Sequence, residues 1–173
     1  MTKRCGLGDK VVHIGKDILE YEIPQNYFDH FVSWLSILHI ENREKLFNNL
    51  YGGLKSGGTF LIEDYAKRSQ KEFPLSVLSD LKITIACPFL PSIDQYKSVL
   101  ENAGFVDVKI EDISSDWSDF VHKRVQIFEQ QRIRNVRVHG VDIVNELGYF
   151  YAIVDELFRG EYISGIRITG RKK

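Results

Sequence analysis

Cysteine is scarce in this chain: 173 residues hold two, Cys5 and Cys87, far apart and in no metal-ligand spacing. A disulfide framework and a thiolate metal site are therefore not expected, and a reducing, cytoplasmic setting is. Long apolar runs are missing too. No window reaches the roughly 18 apolar residues of a membrane span, and Met1-Thr2-Lys3-Arg4-Cys5-Gly6 has no apolar signal core behind it. There is no surplus of either charge, since 23 Lys and Arg stand against 24 Asp and Glu for a net charge of −1. Neither nucleic acid nor an acidic membrane is indicated as a partner, and Arg171-Lys172-Lys173 is too short to be a basic tail. His13, His30, His122 and His139 share no metal-binding spacing, so no metal is expected. Repeats and low-complexity segments are absent as well. What is present, 43% hydrophobic and 27% charged residues, suits one soluble domain, residues 1–173, long enough to bury a core.

Short apolar runs alternate with helical patterns, which points to a layered α/β fold. Lys10 to Gly15 reads as a short strand, and Tyr27 to Trp34 as an interior one. Asn42 opens a helix in which Leu46, Leu50 and Leu54 recur every four residues. It ends in the cationic, glycine-closed turn Lys55-Ser56-Gly57-Gly58. Thr59 to Tyr65 is a third strand, its carboxyl end carrying polar groups. Ser92 caps a helix bearing Ile93, Tyr96, Val99 and Leu100 on one face. Val106 to Ile113 alternates as a half-buried strand does. Two helical stretches follow, one with Trp117, Phe120, Val121, Arg124, Val125 and Phe128 on one side, the other with Val144, Leu147, Tyr151, Val154 and Phe158. Tyr162 to Gly170 closes the chain as a strand, making the last strand pair antiparallel.

Three blocks together resemble the class I S-adenosylmethionine-dependent methyltransferases. Phe28-Asp29 through Leu38-His39 to Leu54-Lys55-Ser56-Gly57-Gly58 and Ile62-Glu63-Asp64-Tyr65 is similar to that family's fourth strand, helix and fifth strand, with Ser56 in place of the usual Pro. Gly6-Leu7-Gly8-Asp9-Lys10-Val11 followed by Asp17-Ile18 resembles the approach to the third strand and the adenine-facing acid after it. Tyr96 to Glu111 resembles the last helix and sixth strand. Within the superfamily, Asp64-Tyr65 and the Trp117–Arg124 helix look most like the phosphoethanolamine and sarcosine/dimethylglycine N-methyltransferases. The resemblance implies a Rossmann-like sheet with helices on both faces, lacking the first two strands: the carboxy-terminal portion of a methyltransferase domain. The family's glycine-rich loop is missing. Cys5-Gly6-Leu7-Gly8 reads as a turn, with no strand before it and no helix after it. Activity by this chain alone is thereby left open, as are a missing amino-terminal half and a homodimer.

The implied cofactor is S-adenosyl-L-methionine, held by Asp17 and Ile18 at the adenine and by Ser33 and Trp34 at the carboxyl end of the fourth strand, where ligands of open α/β sheets bind. His39 stands where relatives carry a His close to the reaction centre, and an imidazole can take a proton near neutral pH. Asp64 and Tyr65, expected to face the same crevice, would bind a cationic amine by charge and by cation–π contact. Trp117 and Arg124, seven residues apart, share a helix face and would roof the substrate pocket, with Arg124 pairing an acidic group. The plainer reading, favoured by the residues alone, is an aromatic core stripe with a snorkelling Arg. The expected activity is methyl transfer to a small molecule, with an amine nitrogen favoured as acceptor. The alternative is a non-catalytic methyltransferase-like subunit or relic acting through a protein partner.

Overall fold

The computed structural model of the chain describes residues 2–68 and 72–173. Four strands, β1 (Phe28–Trp34), β2 (Leu54–Lys67), β3 (Phe105–Asp112) and β4 (Ile163–Lys172), form one sheet in the order β1-β2-β4-β3. β1 and β2 run parallel, and β4 is antiparallel to both of its neighbours, β2 and β3. The antiparallel final pair is as expected. Between them run helices α1 (Arg43–Gly53), α2 (Leu75–Ser79), α3 (Ile93–Asn102), α4 (Ser114–Gln130), α5 (Arg132–His139) and α6 (Val141–Arg159).

Local sequence accounts for several of these boundaries. Asn42 caps α1 by accepting from the Lys45 amide, and Ser92 with Gln95 forms a reciprocal capping box on α3. Lys55-Ser56-Gly57-Gly58 does not separate helix from strand as read from the sequence. It is an irregularity within β2, across which the register jumps from Phe28–Leu54 to His30–Thr59, and Gly57 takes φ +76° inside it. The two helical stretches expected after β3 are joined by a third helix, α5, which Gly140 at φ +89° ends before α6 begins.

The sheet is covered on both faces. Phe60 and Ile62 point to one side, where Leu46 and Phe47 of α1 and Tyr96 and Leu100 of α3 complete a core. Tyr65 points to the other, among Ile153, Val154, Leu157 and Phe158 of α6. Two glycines of β4 admit aromatic rings across the sheet. A Cβ on Gly170 would stand 2.6 Å from the Phe60 ring, which reaches over β4 to stack edge-on with Phe105. A Cβ on Gly165 would stand 2.6 Å from the indole of Trp117 on the opposite face.

The expected strand at Lys10–Gly15 does not form. Val11, Val12 and Ile14 are exposed in chain that joins no strand. A strand needs a neighbour to take its N–H and C=O groups, and no described residue lies beside it in the sheet. β1 consequently has a hydrogen-bonded neighbour on one side and, among the described residues, a free edge on the other. Val32 and Trp34 on it are 51% and 65% exposed. No helix among the described residues is long and apolar enough to cross a membrane.

Candidate active site

The carboxyl ends of β1 and β2 lie side by side, since the two strands are parallel and Trp34 pairs with Glu63. At this end the chain leaves β1 through Leu35, a non-glycine residue at φ +47° whose amide is held by the Glu63 carbonyl at 2.8 Å. Such strained positions collect at ligand sites. Beside it opens a cavity of about 690 Å³, lined by Leu35, Tyr65, five residues of α4 including Asp116, and Phe150, Tyr151 and Val154 of α6. From α4 come Trp117, Phe120, Val121 and Arg124, the i, i+3, i+4, i+7 set of one helix face.

Tyr65 is the floor of this cavity. Its ring meets Trp117 edge-on at 5.6 Å and Phe158 edge-on at 5.7 Å. Burial pushes the phenol well above its ordinary range, with the neighbouring Asp64 carboxylate adding to the effect, so Tyr65 stays protonated at any physiological pH. Arg124 lies against α6. Its guanidinium sits 5.4 Å from the Tyr151 ring centroid and donates to the Tyr151 hydroxyl at 3.3 Å. Trp117 and Arg124 thus line one cavity with Tyr65.

Asp64 does not join them. Successive residues of a strand point to opposite faces, and the Asp64 side chain lies fully buried on the α1/α3 side. There it accepts from the Tyr96 hydroxyl at 2.8 Å and from the Tyr65 amide at 2.9 Å. The expectation that Asp64 and Tyr65 face one crevice is corrected by this alternation. Burial raises the Asp64 carboxyl to about 6, against the lowering effects of the Tyr96 and Tyr65 hydrogen bonds and of the Arg43 and His39 charges. Arg43, itself buried, donates to the Phe89 carbonyl at 2.9 Å and lies 5.7 Å from the Tyr96 ring centroid.

His39 ends a short 3-10 turn, Ile37–His39, that follows β1. Its Nδ1 is 2.9 Å from the Ala86 carbonyl oxygen. A carbonyl only accepts, so Nδ1 carries the hydrogen, and in the neutral ring Nε2 is the nitrogen with the lone pair. The ring is exposed, while Leu38 beside it packs in the cluster that contains Tyr65.

The four residues expected at the cofactor fall in two places. Asp17 Oδ1 accepts from the Leu19 amide at 2.8 Å, closing a local turn in exposed chain. Ile18 lines a separate cavity of about 300 Å³ with Tyr21, Phe28, His30, Phe31 and Leu50, against the amino half of β1. Ser33 and Trp34 stand at the other end of that strand, Ser33 half-buried and Trp34 with its ring exposed. Cys5 ends a 3-10 helix, Thr2–Cys5, and Gly6 and Gly8 lie in turns that lead into no strand. The fit to a nucleoside cofactor is therefore partial: adenine-side and wall residues are present, and no backbone cradle is built among the described residues. Sequence reasoning missed Leu35, Asp116, Phe120, Phe150 and Tyr151. Phe120 was legible from its helical spacing to Trp117 and Arg124. Leu35 had no signal, because its part depends on backbone conformation.

Residues 2–62 match a family described as "Methyltransferase domain". Phosphoethanolamine N-methyltransferase of Plasmodium falciparum is 30% identical over 125 residues, covering 69% of this chain and 45% of that protein. Phosphoethanolamine N-methyltransferase 1 of Arabidopsis thaliana is 30% identical over 132 residues, 76% of this chain and 26% of that one. The chain thus spans less than half the length of these relatives. Among solved structures, Haemonchus contortus phosphoethanolamine N-methyltransferase 2, in complex with phosphomonomethylethanolamine and S-adenosylhomocysteine, superposes with a TM-score of 0.81 at 21% identity, over 90% of this chain and 36% of that one. A Galdieria sulphuraria protein described as a sarcosine dimethylglycine methyltransferase gives 0.84 at 17% identity, over 99% and 62%. By sequence and by fold, the chain is a relative of the class I methyltransferases.

Proposed function

We propose that this chain, residues 1–173, is the carboxy-terminal portion of an enzyme that transfers a methyl group from S-adenosyl-L-methionine to a small molecule, with an amine nitrogen as acceptor. The observation that carries the reading is the cavity of Tyr65, Trp117 and Arg124 at the carboxyl end of the parallel strand pair, where ligands of open α/β sheets bind. That the curated relatives named above are methyltransferases supports an enzyme over a non-catalytic subunit or relic.

The cofactor, when bound, supplies the methyl group. The acceptor must be deprotonated, stripped of water and held in line, and these are tasks for the residues of this chain. Tyr65 and Trp117 meet edge-on and wall the cavity with aromatic faces that attract an ammonium and exclude water. His39 Nε2, bearing the lone pair, takes the acceptor's proton. Arg124 pairs with an acidic group at the far end of the substrate. Asp17 and Ile18, by the amino half of β1, would hold the adenine of the cofactor, and Ser33 and Trp34, at the other end of that strand, would contribute backbone groups and wall. Asp64, on the opposite face, positions Tyr65 through its amide rather than touching substrate.

Without a backbone cradle the affinity for the cofactor product is expected to be weak, with a dissociation constant above about 1 mM, or roughly −4 kcal/mol. Saturation-transfer NMR detects such binding. With S-adenosylhomocysteine at millimolar concentration, transfer to the adenine protons is expected, and it should weaken in Asp17→Ala. No transfer from a chain that melts cooperatively sinks the reading.

A further inference from the structure

We infer that the acceptor is an amine joined through an apolar body about 10 Å long to a single negative charge, and not a compact phosphoamine. This inference rests on the methyl-transfer reading and names the substrate class for the same cavity.

Length is the first argument. On the methyl-transfer reading the amine lies against Tyr65, whose ring is 5.6 Å from that of Trp117. The cation that would hold an acidic group is Arg124, seven residues beyond Trp117 on α4. Seven residues of α-helix put about 10 Å between the backbones of Trp117 and Arg124. A two-carbon spacer, at about 1.5 Å per bond, does not bridge that distance, whereas a chain of several carbons or an aromatic body does.

Charge is the second. Among the ten lining residues Arg124 is the one cation and Asp116 the one carboxylate, so the wall carries no net charge. Arg124 already spends one guanidinium nitrogen on the Tyr151 hydroxyl and rests on that ring. A phosphate monoester brings close to two negative charges and three acceptor oxygens, and a single shared guanidinium leaves most of that unpaired in an apolar site. One carboxylate, or another monoanion, matches the donors on offer.

The third argument is the wall between the two ends. Leu35, Phe120, Val121, Phe150 and Val154 occupy it, and Phe120 is 66% exposed and Leu35 39%. The roughly 690 Å³ they bound is of the size that buries a ligand with an extended apolar surface. Covering these side chains with a substrate's carbon skeleton removes apolar area from water at about 25 cal/mol per Å², a gain that a phosphoamine cannot supply.

The chain has two tryptophans, and Trp34 is the exposed one, so Trp34→Phe leaves Trp117 as the reporter within the cavity. Its fluorescence would be titrated with 8-aminooctanoate, 4-aminobutanoate, octylamine and phosphoethanolamine. The expected order puts 8-aminooctanoate at least tenfold tighter than the other three. Adding Arg124→Gln should bring 8-aminooctanoate down to the level of octylamine, while Arg124→Lys keeps part of the advantage; thermal melts confirm that each variant is folded. Tightest binding by phosphoethanolamine or by 4-aminobutanoate overturns the inference. So does an affinity for 8-aminooctanoate that ignores Arg124→Gln, or a folded chain that responds to none of the four. Because no cofactor enters this titration, its failure leaves the adenine-proton transfer intact, and a failed cofactor experiment leaves this result readable.

Discussion

Asp64 couples the core to pH in the direction opposite to most carboxylates. Its folded-state value of about 6 lies above the unfolded value of about 3.9. Below both values the group is protonated in either state and contributes nothing. Between them the folded chain holds a proton that the unfolded chain has released, so stability falls as pH rises through this window and stays lower above it. The difference amounts to at most about 3 kcal/mol. Asp64→Asn keeps an acceptor for Tyr96 and cannot ionise. Urea melts should therefore show wild type losing roughly 1–3 kcal/mol relative to Asp64→Asn between pH 4 and pH 7. A constant difference across that range would mean that Arg43 and Tyr96 fully offset the burial.

At the scale of the element, β4 shows how a strand can make a cavity wall by what it omits. Ile166 and Ile168 are buried in the core, as the apolar pattern Ile163-Ser164-Gly165-Ile166-Arg167-Ile168 leads one to expect. Gly165 instead leaves the room into which the Trp117 indole settles. In Gly165→Ala the new Cβ and the ring cannot both keep their places. Overpacking of this kind costs roughly 1–3 kcal/mol. The expected outcome is a lower melting temperature together with a red-shifted Trp117 emission as the indole moves toward water, both read in the Trp34→Phe background. Unchanged emission would place the ring elsewhere.

For the whole molecule, the free edge of β1 is the feature with consequences in solution. Phe28 to Trp34 has neither Pro nor Lys to blunt it, and Val32 and Trp34 stand exposed. The isolated chain is expected to self-associate. Light scattering should show the apparent mass rising above 20.0 kDa with concentration, and Val32→Lys should suppress the rise by placing a charge on the edge. A wild-type chain that stays monomeric at high concentration would mean that the edge is protected.

The α/β class, the helix caps at Asn42 and Ser92, and the antiparallel final strands were legible in the sequence, because periodicity and capping chemistry are local. The grouping of Trp117 with Arg124 was legible for the same reason, since helix spacing alone puts them on one face. Three things were not. The Val11–Ile14 run has strand composition, yet a ladder is a property of two chains' edges and no described residue supplies the second. Asp64 and Tyr65 are neighbours in sequence and part company in space, because the pleat sends one under Tyr96 and the other toward Trp117. Phe150 and Tyr151 join the cavity through the packing of α6 beside α4, and Leu35 through the backbone turn at the end of β1. Local patterning carried the α/β class, the helix caps and the resemblance to methyltransferases. Tertiary structure alone decided which side chains share a cavity, because that depends on strand alternation and helix docking between residues far apart in the chain.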